Sequence, residues 1–367
     1  MRAPARISII GAGPAGLTCA RVLHRHGIHA TVYDRDARPD ARDQGGSLDL
    51  NADHGQAALR EAGLLEDFAR ASRPEGQEMR QYDTSGQLLF HHVPEEGERF
   101  KPEIDRGDLR ALLLRSLPQG TVVWGKALTE VAGPADGPRT LRFADGTSVE
   151  TDLVIGADGA FSRVRPAVSA AVPHYSGISF LEAWFSDVTA RHPDLADLVG
   201  EGSAAAADGQ RGMFAQRNGG DRVRVYLIQR TPADWTAGQD TDALRARLLD
   251  AYAAWSPRFR RIITDNDGPY VNRPIHALPV PHLWQHRPTV TLLGDAAHLM
   301  PPLGVGVNLA MRDAADLALA LAAEPTVAAA VRAYEATMLP RAAEIAKSLE
   351  GGAEFLISDD LPDFATA

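Results

Sequence analysis

Thiol chemistry is almost absent from this sequence, for Cys19 is the one cysteine in 367 residues. That excludes an intramolecular disulfide and any cysteine-built metal cluster, and it fits a reducing, cytoplasmic compartment. Because Cys19 stands among apolar residues with helical spacing, interior packing is its expected role, ahead of reactivity. Long hydrophobic runs are missing too. No stretch reaches the roughly 18 apolar residues of a membrane-crossing helix, and spaced glycines break the apolar start after Arg6, so it reads as strand, turn and helix rather than a signal peptide. Positive charge is in deficit, with 38 Lys and Arg against 48 Asp and Glu. Neither a nucleic-acid backbone nor a membrane surface is therefore an expected partner. No His/Asp/Glu spacing suggests a metal site, and no nucleophile elbow or catalytic triad is present. No internal repeat and no Pro-, Gly- and Ser-dominated run occurs. What is there is ordinary globular composition, 44% hydrophobic and 23% charged, in a chain long enough for one large domain or two of usual size.

The patterning runs β-α-β at the start. Arg6 to Ile10 is β-rich, Pro14 to His26 has helical apolar spacing, and Ala30 to Tyr33 is β-rich again. A Gly-rich loop and a helix follow between Gly46 and Phe68, then strand-like Gln87 to Val93 and helical Asp108 to Leu117. Short strands are expected at Thr121 to Trp124, Leu128 to Val131, Thr140 to Phe143 and Leu153 to Ile155, the middle ones as a β-meander. From about Ala171 to Asn272 the texture changes to strands (Ser179 to Phe185, Gly212 to Gln216, Arg222 to Gln229) and a helix from Thr241 to Trp255. Thr289 to Leu293 and a helix from Val307 to Ala323 restore the opening texture, and Ala-rich Val327 to Leu356 suits a long helix. The expected fold is α/β: a discontinuous Rossmann-like domain (1–72, 100–170, 273–324), an inserted mixed β-sheet substrate domain (73–99, 171–272) and a C-terminal helical segment (325–367).

Gly11-Ala12-Gly13-Pro14-Ala15-Gly16 is a G-x-G-x-x-G sequence between a predicted strand and helix. Gly11 permits the tight turn, Gly13 lets backbone approach a pyrophosphate, and Gly16 lets the helix pack on the strand, while the helix N-terminus offers N–H groups to phosphates. Asp34 ends the second strand at the spacing of a ribose-binding carboxylate. This fingerprint suits FAD and NAD alike. Two further blocks decide between them: Leu153 to Arg165, containing Asp158-Gly159, and Thr291 to Pro302, containing Gly294-Asp295. Together the three motifs, in this order across nearly the whole chain, resemble the single-component FAD monooxygenases of the aromatic-hydroxylase type.

The resemblance implies that Asp295 binds the ribityl chain and that Gly304, Gly306, Val307 and Asn308 meet the flavin pyrimidine edge at a helix N-terminus. It also gives Asp158 and Arg106 cofactor contacts. Gly45-Gly46-Ser47-Leu48-Asp49-Leu50 resembles the flavin-flanking loop of the tetracycline-inactivating monooxygenases, and Arg42 falls at their flavin-contacting arginine. Gly46, Ser47, Leu48, Asp49, Arg35, Leu128, Gly294 and Pro302 complete the implied cofactor set. Gly304-Val305-Gly306-Val307-Asn308 departs from the usual Gly-Gln-Gly-x-Asn form by sequence and by one residue.

On the substrate side the resemblance places Glu182 and Arg224 where tetracycline-contacting Gln and His stand, and Phe214, Gln216 and Tyr226 alternate suitably to face a flavin. His298 reads as a cofactor-positioning residue. The implied activity is hydroxylation of an aromatic or polycyclic small molecule by a C4a-hydroperoxyflavin, with O2 and NAD(P)H, NADPH favoured, as co-substrates. A polyketide or tetracycline-like substrate links it to antibiotic resistance, although Glu182 and Arg224 argue against tetracycline itself. If Arg224 faces the pocket, an acidic substrate is expected. A flavin oxidoreductase that inserts no oxygen, or a flavin-loaded ligand-sequestering protein, stays open at this point. The expected state is a monomer or weak dimer.

Overall fold

Ile7–Ile10 is buried along its whole length, as a parallel strand covered on both faces requires. In this computed structural model, which describes residues 5–358, it pairs in parallel with Ala30–Tyr33 on one side and Leu153–Gly156 on the other. Val122–Val123 and Val290–Leu292 extend the two edges, giving five parallel strands drawn from three separated stretches of chain. Helices Pro14–Arg25, Arg106–Arg115, Gly306–Ala323 and Val327–Ser348 cover this sheet. Ile9, Leu17, Val32, Leu109, Ile155, Leu292, Met311 and Tyr334 meet in the shared core. Cys19 lies in that core, and burial pushes its thiol up to about 12, so it packs rather than reacts.

The second sheet has seven strands in the order Val271–Ala277, His174–Phe185, Arg222–Arg230, Arg211–Asn218, Ser203–Ala207, Met79–Tyr82, Leu88–His92. All pairings are antiparallel except that of Ser203–Ala207 with Met79–Tyr82. Strand alternation gives it two different faces. Leu181, Ala183, Phe185, Val223, Val225 and Leu227 pack beneath helices Pro193–Val199, Thr241–Ala251 and Pro257–Thr264. Glu182, Trp184, Phe214, Gln216, Arg224 and Tyr226 lie on the opposite face, which meets the nucleotide-binding half at Gly45 and Gly46.

Several elements depart from the sequence expectation. Ser203–Ala207 is a strand although alanine disfavours one. Its small side chains fit a position buried on both faces, with Tyr82, Met213 and Phe214 on the neighbouring strands supplying the bulk. The strands Met79–Tyr82, Ser148–Thr151 and Val271–Ala277 were not expected, and neither were the helices Pro193–Val199 and Pro257–Thr264, although Leu195, Leu198 and Val199, and Phe259, Ile262 and Ile263, recur at helical spacing and are the residues buried. Val271–Ala277 also runs across the domain boundary expected at 272/273. The terminal helix stops at Ser348, before Gly351 in the left-handed region, and a short turn of helix Gly352–Phe355 follows. Residues 359–367 of the expected terminal segment lie outside the described residues. Among the described residues no helix is long and apolar enough to cross a membrane.

Candidate active site

The turn after Ile10 shows why three glycines are needed, and for two different reasons. A Cβ on Gly11, whose φ is +108°, would stand 2.3 Å from the Ala157 carbonyl oxygen, and one on Gly16 would stand 2.0 Å from that of Gly11. Those two positions are closed by the protein itself. A Cβ on Gly13 would meet nothing within 4 Å. Gly13 caps the helix Pro14–Arg25, so its space lies open where that helix end presents free N–H groups. Ala12, Ala15 and Gly16 are buried in the turn.

Asp34 is nine-tenths buried; its Oδ2 accepts from the Ala12 N–H at 2.6 Å and its Oδ1 from the Asp36 N–H at 2.8 Å. Arg110 clamps the same turn, donating from Nε to the Ala12 carbonyl at 2.9 Å, with its guanidinium 3.5 Å from Asp36. Arg42 pairs with Asp36 at 3.1 Å, whereas Arg35 is exposed. Leu128 is buried in the core at the start of the meander, next to a chain segment tied to Asp34 by the Lys126 N–H.

Asp158 and Asp295 stand on neighbouring loops after Leu153–Gly156 and Val290–Leu292. Asp158 Oδ2 accepts from the Arg163 and Val164 N–H groups, but its buried Oδ1 has no partner among the described residues. Burial raises its pKa, opposed by the Ser162 hydroxyl and by these backbone N–H groups. Asp295 is exposed at the start of helix Asp295–His298, directly after Gly294, whose φ is +55°. Arg165 locks the two loops together, donating to the carbonyls of Ala160, Asp295 and Ala296 at 2.8, 3.0 and 2.8 Å.

The loop containing exposed Pro302 and Gly304 leads into helix Gly306–Ala323, with Val307 partly buried against the core. A Cβ on Gly306 would lie 3.9 Å from Asp295 Oδ1, and one on Gly304 3.9 Å from Asp49 Oδ1. Asn308 is almost fully buried and differs from expectation. Its side chain is a staple: Nδ2 donates to the Asp49 and Gly304 carbonyls, and Oδ1 accepts from the Asn51 and Gly55 N–H groups. Any contact it makes at the open face is thereby left to backbone. Leu48 packs on the core, Ser47 and Asp49 lie on the other face of their strand, and Gly46 accepts from the Arg106 N–H at 2.9 Å. The Arg106 side chain makes no hydrogen bond among the described residues, and burial lowers its pKa, opposed by Tyr226 and Asp295.

His298 serves structure. Its Nε2 lies 2.6 Å from Asp313 Oδ2, while Arg341 of the long terminal helix pairs with Oδ1 at 2.9 Å and the Gly294 N–H donates to Oδ2 at 3.1 Å. The network pins the Gly294-Asp295 turn to two helices.

These features make a nucleotide cradle with a second carboxylate loop beside it. Residues 5–348 match the family described as FAD binding domain. The chain belongs to this family of single-component FAD monooxygenases. The monooxygenase is similar to 3-amino-4-hydroxybenzoate 2-monooxygenase of Streptomyces cremeus, at 31% identity over 98% of this chain and 89% of that one. A solved structure of Klebsiella pneumoniae HpxO with FAD and uric acid superposes with a TM-score of 0.82 at 26% identity, over 97% of this chain and 90% of that one. The tetracycline destructase Tet(55) shares the fold, with a TM-score of 0.74 at 20% identity over 99% and 92% of the two chains.

The residues present fit FAD: the space at Gly13 is open at a helix end, and Asp158 Oδ1 is buried with no partner among the described residues. Arg110, Arg165 and Asp313 were not legible as site residues. Arg110 had a signal, since it follows Arg106 by one helical turn and shares its face; Arg165 and Asp313 act on partners far away in sequence.

The substrate face of the monooxygenase corrects one expectation. Arg224 does not offer a vacant cation. Its Nη2 is 2.8 Å from Glu182 Oε1, both side chains are only 4% exposed, and its guanidinium stacks 4.0 Å from the Trp184 ring centre. Glu182 also accepts from Arg273 at 3.2 Å and from the Trp184 indole at 3.1 Å. The carboxylate imagined on the substrate is supplied by the neighbouring strand. Phe214 and Tyr226 sit opposite each other, as do Gln216 and Arg224, and Tyr226 packs 5.4 Å from Phe180, ring centre to ring centre.

Proposed function

We propose that this chain binds FAD and uses a reduced nicotinamide, with NADPH favoured, and O2 to hydroxylate an aromatic or polycyclic small molecule. The observation that carries this reading is the cradle at Gly13, open where two flanking glycines are closed, beside the unpartnered carboxylate oxygen of Asp158. In it the Gly11–Gly16 turn holds the pyrophosphate at the helix end and Asp34 takes the ribose. Asp295 holds the ribityl chain, with Arg106 and Asp158 as further contacts. When bound, FAD supplies electron transfer from the nicotinamide and activation of O2. The chain orients it, keeps water out and presents the substrate. The N-terminus of helix Gly306–Ala323 favours negative charge on the adjoining edge.

The substrate lies on the face bearing Phe214, Gln216 and Tyr226. Because Glu182 compensates Arg224, a neutral or weakly acidic ring suits this face better than a carboxylic acid. The relatives named for urate and for 3-amino-4-hydroxybenzoate support a small ring as substrate; the carboxylate of the second would have to be met in this chain by a group other than Arg224, and tetracycline is expected to react weakly or not at all.

Anaerobic mixing of the FAD-loaded chain with NADPH, then NADH, is expected to bleach the flavin, faster with a substrate present. Under isotopically labelled O2 the product gains label. If neither donor bleaches the flavin in the presence of candidate substrates, the reading is wrong; mass loss without label marks a dehydrogenase instead. Asp295→Ala is expected to weaken FAD retention by about 1.5–3 kcal/mol through loss of a hydrogen bond to a charged group, read by equilibrium dialysis. Unchanged retention would remove Asp295 from the site.

A further inference from the structure

We propose that Glu103 is a neutral, proton-bearing acid standing opposite Asp49 beside the flavin, and that its proton withholds a second negative charge from the ring during reduction. This rests on the FAD reading above and gives the site a pH-linked control of its redox equilibrium, through a residue that positions charge rather than reacts.

Ser47–Asp49 and Glu103–Asp105 form a two-stranded antiparallel ribbon in which Asp49 stands directly opposite Glu103, and Ser47 opposite Asp105. Alternation turns Leu48 and Ile104 to the core and puts the three carboxylates and the serine on the other face. Like charges directly opposite destabilise a ribbon. The protein treats its carboxylates differently. Asp105 is matched by Arg73 at 2.9 Å, Arg222 at 3.2 Å and the Gly219 N–H at 3.0 Å. Glu103, only 7% exposed, has no ion pair among the described residues. Its Oε1 accepts from Gln216 Nε2 at 3.1 Å, and its Oε2 accepts from the Ser47 hydroxyl. Its stem lies against Gly76, where a Cβ would approach to 2.8 Å.

The charged groups facing the pair are few: Arg73, already held by Asp105; Lys101, which acts on Asp49; and Asp105 itself. Burial first, then the Asp49 charge, pushes Glu103 up to about 8 against the opposing Ser47 and Gln216 hydrogen bonds and the Arg73 charge, and burial raises Asp49 against Lys101. At neutral pH the pair then carries one proton and one negative charge, not two charges.

The pair lies between the two halves of the proposed site. Asp49 abuts Gly304 and is held by Asn308 next to the N-terminus of helix Gly306–Ala323. On the other side, the Oε1 of Gln216, whose amide nitrogen bonds Glu103, lies 3.6 Å from where a Gly46 side chain would start. A hydride from a reduced nicotinamide would bring two electrons and one proton to a bound flavin, leaving the ring one unit more negative and the nicotinamide oxidised. The helix end favours that charge. An ionised Glu103 next to Asp49 opposes it.

The test uses the full chain loaded with FAD. With ¹³C in glutamate side-chain carboxyls, one resonance is expected to titrate near 8, to vanish in Glu103→Gln and to titrate lower in Asp49→Asn. The reduction potential of bound FAD is then compared at about pH 6 and about pH 9, either side of that value. Wild type and Glu103→Gln agree at the lower pH. At the higher pH the variant is easier to reduce by at least tenfold, about 30 mV for a two-electron couple. Ordinary titration of every glutamate overturns the proposal, as does an equal difference in potential at both pH values. A chain that takes up no FAD defeats the flavin reading instead.

Discussion

Gly13→Val is expected to give a folded chain that no longer retains FAD. Gly13 has φ −84° and ψ −179°, an extended conformation that valine adopts without strain. Its Cβ would meet no atom of the chain within 4 Å, so the cost to folding is confined to a poorer helix cap, about 1 kcal/mol. The cofactor fares otherwise, because the added methyl groups occupy the space through which phosphate oxygens reach the helix N–H groups. FAD affinity is expected to fall on the order of a hundredfold, about 2.8 kcal/mol. Gly16→Val is the contrast. Its Cβ would stand 2.0 Å from the Gly11 carbonyl oxygen, so that variant loses the fold itself. Thermal melting separates the two, and the ratio of flavin to protein absorbance reads retention. A Gly13→Val chain that stays fully yellow would place the nucleotide elsewhere.

Arg224→Ala is expected to cost about 3 kcal/mol of stability, the lower end for breaking a buried ion pair. The lower end applies because Glu182 keeps Arg273 at 3.2 Å and the Trp184 indole at 3.1 Å. Trp184 also loses the guanidinium stacked 4.0 Å from its ring. Replacing both partners, as in Glu182→Gln with Arg224→Met, removes the stranded charge and is expected to recover much of the loss, a coupling that denaturant midpoints measure directly. Should Arg224→Ala match wild type in stability while abolishing binding of acidic substrates, the arginine would be a substrate cation after all.

The nucleotide half was legible because its requirements are local. A turn that must bring a helix start against a strand, at positions a Cβ would fill to 2.0–2.3 Å, admits only glycine, and the spacing of Gly11, Gly13 and Gly16 states that in six residues. Ile7–Ile10 and Leu153–Gly156 were readable for a similar reason, since strands covered on both faces show as short, mostly apolar runs, and Ala30–Tyr33, half covered, was readable from its β-rich residues. Asp158 and Asp295 stood out because each sits in a short motif directly after such a strand.

The substrate half was not legible to the same degree. The sequence by itself determined a nucleotide-binding α/β protein with an inserted sheet, and it put Phe214, Gln216, Arg224 and Tyr226 on alternating strand positions. Only the tertiary structure decided that Arg224 meets Glu182, a residue 42 positions away on the adjacent strand, which ties a candidate substrate cation into an internal ion-pair network with Arg273. The same holds for Glu103, whose state depends on Asp49 across a ribbon, Gln216 from another sheet and the absence of a side chain at Gly76. Backbone geometry is written in neighbouring residues, whereas the charge state of a buried group is the sum of partners that the fold alone brings together.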